Sequence, residues 1–272
     1  YYITRAVQTS EKTFEIDAED LIGALDRYTF MGGMYENALV SEVLSNIFGT
    51  NIPYELDEFF SNATITGYIP ICTCRQALAH IIFSIGAIVT TANSDKILIK
   101  HLDNTVQHVY NKSEVFIGSS FQRNDKVTAV EITGYNYTKN SSATLEALYN
   151  GNETRAIVKF DAPYYDLTCT GGTIISSNCN HAILELNENA TEMILKGKKY
   201  EVSTTLKTKY DPIITAVDFE NQMTFADCYL INNTNVEAVL DRLYNYYITN
   251  KNNTFDITID LENGGKLADK IE

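Results

Sequence analysis

The side chains that most often perform catalysis are few in this sequence and lie far apart along it. Four histidines occur, and none neighbours a cysteine or serine in an arrangement typical of nucleophilic catalysis. One of them, His80, stands between apolar residues on a predicted helix. A partly buried histidine with a satisfied ring is a more common outcome there than a general base. We therefore predict no catalytic histidine.

Thiol chemistry and metal binding depend on how the cysteines are spaced. Five cysteines, an odd number, stand at Cys72, Cys74, Cys169, Cys179 and Cys228. A structural zinc site needs paired ligands such as two C-x-x-C motifs, and no spacing among these five has that form. The sequence predicts that the cysteines are small core residues and that they hold no metal.

Acidic pairs are the remaining candidates for acid–base chemistry. Asp17, Glu19 and Asp20 are interpreted as a helix cap with a first turn that complements the helix dipole, and Asp57 with Glu58 as an exposed loop. The two carboxylates of a glycosidase need to be close only in space, so such a pair stays open. Nothing in the spacing of the acidic residues favours a pair of catalytic carboxylates.

Local motifs of catalysis and nucleotide binding are absent from the sequence. It contains no G-x-S-x-G, H-E-x-x-H or G-x-G-x-x-G segment and no P-loop. Gly171 and Gly172 follow a strand-like segment, but no helix follows them, so a tight turn is favoured over a phosphate-binding loop. We predict that the chain is not an enzyme and has no catalytic, cofactor-binding or metal-binding residues and no cofactor.

Length and charge limit the number of domains and the remaining classes of function. The 272 residues suffice for one large domain or two ordinary ones. Asp and Glu number 35 against 21 Lys and Arg, and this balance of -14 argues against a sequence-specific nucleic-acid partner. No apolar run is long enough to cross a bilayer, so we predict no membrane insertion. The chain opens on Tyr1 without Met and closes on a strand-like segment, and we expect it to continue at both ends.

Residues 1–105 are predicted to form a small helix-sheet module. Thr13–Asp17 alternates as a half-buried strand does, and Asp17 is placed to cap the short helix that follows. A second helix covers residues 39–48 and stops at Gly49. A third starts at the capping box Thr73-x-x-Gln76 and ends at Gly86. Strands are predicted at 52–56, 64–69, 87–91 and 96–100, which gives the order αββαββ with two helices on one face of a small sheet.

Residues 106–272 are predicted to form a mostly antiparallel β domain, a sandwich or a barrel. Short alternating segments separated by Gly, Asn or Asp recur at 126–138, 155–160, 172–175, 181–186, 192–195, 200–205 and 213–217. A capping box, Thr234-x-x-Glu237, starts one long helix near 235–249. Strands at 254–261 and 267–271 follow. The predicted fold class is therefore α+β.

Four segments resemble tail proteins encoded by prophages of low-GC bacteria. The first is residues 65–99, ITGYIPICTCRQALAHIIFSIGAIVTTANSDKILI. The others follow in the same order and are GGTIISSNCNHAILEL from Gly171, VEAVLDRLYNYYITNK from Val236 and GGKLADKI from Gly264. The helix-sheet module also resembles the N-terminal domains of secretins and the signalling domains of TonB-dependent receptors, a fold that baseplate hub (tail-tip) proteins share.

This resemblance implies a structural component of a phage or prophage tail or baseplate, hub-like, that acts by protein–protein assembly. The implied partners are other tail or baseplate proteins and further copies in a homo-oligomeric ring. The implied location is the virion tail, after synthesis in the bacterial cytoplasm. Because tail hubs let DNA pass, acidic side chains lining the ring would repel phosphates, and we hypothesise that they cluster on that surface. An ordinary solvated acidic surface is the alternative.

Two other functions stay open. One is an extracellular adhesin or glycan-binding module of a bacterial surface protein, with tyrosine rings as stacking platforms. Its candidates are Tyr164, Tyr165, Tyr244, Tyr246 and Tyr247, for each of which a core or interface position is favoured. The other is a cell-wall hydrolase whose catalytic part lies beyond Glu272.

Overall fold

The structure is a computed structural model that describes residues 2–92, 94–102, 106–108, 118, 120–123, 125–213, 220–249, 253–256 and 270–271. It is a mixed α+β fold in which strands outnumber helices, and the predicted α+β class is confirmed. The elements up to residue 101 are, in chain order, β1 Tyr2–Ser10, β2 Thr13–Glu19, α1 Leu21–Ala24, β3 Thr29–Phe30, β4 Gly33–Leu39, α2 Val40–Phe48, β5 Tyr54–Leu56, β6 Thr64–Ile69, β7 Cys72–Thr73, α3 Cys74–Ile85, β8 Ala87–Thr90 and β9 Ile97–His101.

The later elements are again mostly strands. They are β10 Val106–His108, β11 Ser120–Arg123, β12 Ala129–Thr138, β13 Glu146–Gly151, β14 Arg155–Lys159, β15 Tyr164–Thr170, β16 Gly172–Ser177, β17 His181–Leu186, β18 Met193–Lys199, β19 Glu201–Tyr210, β20 Gln222–Phe225, α4 Val236–Tyr244, β21 Asn253–Asp256 and β22 Lys270–Ile271. Residues 214–219 and 257–269, which contain most of the strands predicted at 213–217, 254–261 and 267–271, lie outside the described residues.

The two longer helices of the first part follow their local sequence signals. α2 ends at Gly49, whose φ is +59°. At the start of α3, the Thr73 hydroxyl accepts a hydrogen bond from the Gln76 N–H at 3.2 Å, and the Gln76 side chain accepts one from the Thr73 N–H at 3.0 Å. α3 ends at Gly86 in the left-handed conformation. The predicted capping box and both glycine ends are confirmed.

The four strands predicted around these helices do not share one sheet. β8 and β9 form the predicted antiparallel hairpin, and β5 joins β9 in parallel. β6 instead pairs antiparallel with β4, a strand that the sequence pattern did not predict. β4 lies about thirty residues before β6, and a local periodicity contains no information about pairing over that distance. The pattern therefore predicted β6 but not the strand with which it pairs.

Two predicted helix starts are wrong in detail. Asp20, not Asp17, caps the first helix, because its carboxylate accepts from the Gly23 N–H at 2.8 Å while Asp17 lies within β2. The second capping box does not form. The Thr234 hydroxyl donates instead to the Asn232 side chain at 2.6 Å. α4 therefore begins after Asn235 without a side-chain cap, and it continues as a π-helical turn over Asn245–Thr249.

Three sheets of three strands organise the second part. β12 pairs along its whole length with β19, antiparallel, and its first residues pair in parallel with β20. The orders of the other two sheets are β13-β18-β15 and β14-β17-β16, and both are antiparallel. The strand predicted at 181–186 is present with the same ends. Those predicted at 126–138, 155–160, 172–175, 192–195 and 200–205 are present with shifted ends.

Buried side chains form two clusters. The larger joins α2 and α3 to β12 and α4, so it contains residues from both sides of the predicted boundary at residues 105 and 106. The smaller joins the two antiparallel sheets through Val158, Leu184, Met193 and Leu195. The division into 1–105 and 106–272 stays a prediction.

Two buried asparagines fasten β6 to later parts of the chain. The side-chain amide of Asn180 donates to the carbonyl oxygens of Ile69 and Met31, each at 2.9 Å. The amide of Asn232 donates to the carbonyl oxygen of Thr66 at 2.8 Å. Since an unpaired buried amide or carbonyl is costly, these bonds fix how the segments around residues 180 and 232 pack on β6.

Candidate functional site

The hairpin of β1 and β2 has an exposed apolar face. In its register Ile3 lies opposite Ala18, and Ala6 opposite Ile16, so these side chains share one face with Phe14. Every residue of β1 is exposed, as are residues 13–18 of β2. Ile3 is 66% and Phe14 62% exposed. We call these five residues the hairpin apolar face.

The opposite face of this hairpin is charged. The Arg5 guanidinium lies 3.1 Å from the Asp17 carboxylate and 3.6 Å from that of Glu15. Glu19 forms an ion pair with Arg27. β2 therefore carries acidic residues at alternate positions, with apolar residues between them.

The prediction that Thr13–Asp17 is half-buried is wrong. Alternation correctly reports a strand with one apolar face, but it does not report whether another part of the chain covers that face. β1 was not predicted at all. The available signal was the two-residue polar connection of Glu11 and Lys12 between two extended segments, which is typical of a hairpin.

A second exposed apolar strand lies far along the chain. β19 is at the edge of its sheet, and its residues Val202, Leu206 and Tyr210 share the face that points away from α4. Leu206 is 60% and Tyr210 63% exposed. On the other face, Lys207 lies 2.8 Å from Glu237, and Lys209 is paired with Asp241, both of which belong to α4.

A cleft of about 680 Å³ lies between α3 and residues 224–229. His80 and Phe83 line it from α3, and Phe225, Asp227 and Tyr229 line it from the other side. The rings of Phe83 and Phe225 are stacked at 5.7 Å. The walls are largely apolar and include the rings of Phe83, Phe225 and Tyr229, which suits the binding of an apolar group.

Burial shifts the pKa of three side chains that line this cleft. Burial lowers the pKa of His80, so its ring is neutral at pH 7. Burial also raises the pKa of the Cys72 and Cys228 thiols to about 11, which keeps them protonated at neutral pH. A thiol in that state is a poor nucleophile and a poor metal ligand.

Below this cleft, Arg242 of α4 reaches the end of α3. Its guanidinium is partly buried, donates to the carbonyl oxygen of Phe83 and packs over Gly86. Burial lowers the pKa of Arg242. The helix dipole and the unpaired carbonyl groups at the end of α3 stabilise a cation at this position.

Replacing Arg242 with methionine is expected to lower the free energy of unfolding by about 1.5–3 kcal/mol, because the hydrocarbon packing is kept while a charged hydrogen bond is lost. Urea denaturation measures the change. The matched control is Arg75→Met, at an exposed ion pair with Asp26. Its expected loss is below about 1 kcal/mol, and equal losses for both variants would contradict a capping role for Arg242.

The tyrosines considered for glycan stacking are divided between core and surface. Tyr164 and Tyr165 are buried, with hydroxyls that donate to Glu146 at 2.8 Å and to the carbonyl oxygen of Asn140 at 2.5 Å. Their rings are not available for stacking on a sugar. Tyr246 is exposed and contacts Tyr247, which packs on Phe225.

The other candidate residues are dispersed. The Asp57 carboxylate accepts hydrogen bonds from the N–H groups of Phe59 and His101, which lower its pKa, and thus acts as a local cap. Gly171, with φ +75°, forms the turn between β15 and β16. The cysteines that the structure describes are free thiols. Among the described side chains, no three His, Cys, Asp or Glu are grouped in a way that could hold a metal ion.

No protein-family model matches the chain, and the comparisons with curated proteins and with solved structures also find no significant match. In the part of the chain that the structure describes, no helix has both the length and the apolar character needed to span a membrane. Of the surfaces described above, the hairpin apolar face is the most exposed.

Proposed function

We propose that this chain is a structural component of a phage or prophage tail or baseplate, hub-like, located in the virion tail and acting by protein–protein assembly. Its partners are other tail or baseplate proteins and further copies of itself. The sequence resemblance to prophage tail proteins gives the class. The exposed hairpin apolar face is the single observation that carries an assembly role.

That observation has a simple physical basis. A two-stranded hairpin in water is only marginally stable by itself, so a persistent hairpin needs packing against something else. The side chains of Ile3, Phe14 and Ile16 are all exposed on one face. Contiguous apolar surface of this kind on a folded protein marks a contact with another macromolecule.

The two thiols of the cleft do not favour nucleophilic catalysis, because both are protonated at neutral pH. The net charge of -14 supports a surface past which DNA moves without being held. The proposal therefore includes acidic side chains that line the inner surface of the ring.

We also propose the finer architecture that accompanies this function, a helix-on-sheet module followed by a strand-rich sandwich or barrel. The first part is supported by the order of α2, β5, β6, α3, β8 and β9, in which only the two-residue β7 is inserted, between β6 and α3. The second is supported by the smaller cluster, whose buried residues lie between Val158 and Leu195 and come from two antiparallel sheets.

Particle composition tests the function directly. Phage particles induced from the strain that encodes this chain are purified on a density gradient, and their proteins are identified by mass spectrometry beside a cell-envelope fraction. We expect the polypeptide in the particles together with other tail proteins. Its absence from complete particles, with recovery in the envelope fraction, would contradict the tail assignment and favour the adhesin.

A further inference from the structure

We propose that β2 of one copy adds as a strand to the free edge of β19 in a second copy, so that the chain assembles head to tail. This inference rests on the assembly role proposed above and names the two surfaces that meet. It involves no residue of the aromatic cleft.

The backbone of both strands is available for this pairing. Within the residues that the structure describes, β2 pairs only with β1, and β19 pairs only with β12, so each presents one unpaired edge. β2 has seven residues and β19 has ten, so β2 can pair along its whole length. Strand addition satisfies the open N–H and C=O groups of both edges.

The side-chain faces match as well. Alternate residues of β2 are apolar and point to the same side as Ile3 and Ala6. On β19 the face that points away from α4 carries Val202, Leu206 and Tyr210, with threonines at positions 204 and 208 between them. Side by side in one sheet, Phe14 and Ile16 would continue the apolar surface of Leu206 and Tyr210. A register shifted by one residue would place acidic side chains beside these apolar ones, so the pattern selects the register.

Charge selects β2 over β1 as the docking strand. In the register that aligns the apolar faces, the acidic side chains of β2 lie on the same side as Lys207 and Lys209 of β19. These lysine side chains keep 43% and 38% of their surface exposed despite their pairs with α4. If β1 docked instead, Arg5 would approach the same lysines, which is unfavourable.

The occupant that these features select is a second copy of the chain. One molecule carries both the acidic, apolar-faced hairpin and the lysine-bearing, apolar-faced edge, and the two surfaces are different. A contact between different surfaces of identical chains is heterologous, and it produces a closed ring or an open filament. A closed ring is what a hub requires.

Single substitutions test the two surfaces separately. Ile16→Lys places a charge on the hairpin face, and Leu206→Lys does so on β19. Light scattering and sedimentation velocity should give an oligomer for the unchanged chain and the 30.5 kDa monomer for each variant. We expect the dissociation constant to rise at least about tenfold in each. Ile157→Lys, at a residue 64% exposed on another sheet, is the control and should leave the oligomer intact.

Mixing the two variants gives the sharpest result. Each variant keeps one good surface, so an equimolar mixture should form a 1:1 heterodimer and nothing larger. A monomeric unchanged chain at concentrations up to about 1 mM would overturn the proposal. A mixture of the two variants that stays monomeric would also overturn it. An oligomer of Leu206→Lys like that of the unchanged chain would overturn it too, because it would indicate contact between two hairpins.

Two further variants keep the test decisive if a lysine disrupts folding. Phe14→Lys replaces the hairpin variant and Val202→Lys the β19 variant, and circular dichroism shows which proteins are folded. Failure here is separable from failure of the tail assignment. A chain found in tail particles that does not pair through β19 refutes only this inference, whereas a head-to-tail oligomer that is absent from particles refutes only the tail function.

Discussion

Replacing Asn180 with aspartate is expected to lower the free energy of unfolding by about 3–5 kcal/mol at pH 7. Asn180 is 1% exposed, and its amide donates to the carbonyl oxygens of Met31 and Ile69. Aspartate has nearly the same shape, but its carboxylate has no hydrogen to donate. The substitution would place a buried negative charge against two oxygen acceptors.

The loss caused by Asn180→Asp should depend on pH. A carboxyl group has a pKa of about 3.9 in the unfolded chain, and burial beside the two carbonyl groups raises this pKa in the folded state. A group with a raised folded pKa contributes most favourably below its unfolded pKa and loses that contribution as pH rises. The difference in unfolding free energy from the unchanged chain should therefore be largest near pH 7 and shrink toward pH 4.

Urea denaturation of both proteins between pH 4 and pH 8 measures this dependence. The control is Asn187→Asp, at an exposed residue whose side-chain oxygen already accepts a hydrogen bond from Thr173 at 2.9 Å. Its stability should stay within about 0.5 kcal/mol of the unchanged chain. A constant difference for Asn180→Asp across the pH range would show that its carboxylate is solvated and that the bond to β6 is not as described.

Replacing Gly32 with alanine is expected to have the second large effect. Gly32 has φ +62°, and a Cβ added there would lie 2.5 Å from the Pro70 carbonyl oxygen and closer still to that of Ile69. The left-handed backbone costs an alanine about 1–2 kcal/mol. Overlap with backbone atoms that cannot turn away adds about 1–3 kcal/mol.

Gly49 provides the matched control for this substitution. Its φ is +59°, but a Cβ added there meets no atom within 4 Å. Gly49→Ala therefore carries only a backbone cost, about 1–3 kcal/mol, because φ +59° with ψ −149° is a conformation essentially restricted to glycine. Thermal and urea unfolding should show that Gly32→Ala loses about 1–2 kcal/mol more than Gly49→Ala. Equal losses would indicate that the chain around residues 69 and 70 gives way easily.

Sequence patterns predicted the elements whose causes are local. The capping box of Thr73 and Gln76 and the glycine after α3 act within a few residues, and both were correct. The pairing of β4 with β6 depends on contacts about thirty residues apart, and no local pattern specifies it. Thr234 does not cap α4 because the helix begins after Asn235, and the Thr234 hydroxyl donates to the Asn232 side chain in the turn before it.

The candidate surfaces were harder to predict than the fold. The alternation of Phe14 and Ile16 showed an apolar face, but its exposure depends on where the rest of the chain lies. The same limit applies to the tyrosines. Tyr164 is buried and Tyr246 is exposed, although both stand in aromatic stretches.

The most direct test of assembly through the hairpin uses the phage particles themselves. The lysogen is prepared with the unchanged gene, with Ile16→Lys and with the control Ile157→Lys, and induced particles are examined by electron microscopy and mass spectrometry. We predict complete tails that contain the polypeptide for the unchanged chain and the control, and tails that lack it or do not form for Ile16→Lys. Complete tails that incorporate the Ile16→Lys chain at the level of the unchanged chain would contradict the account.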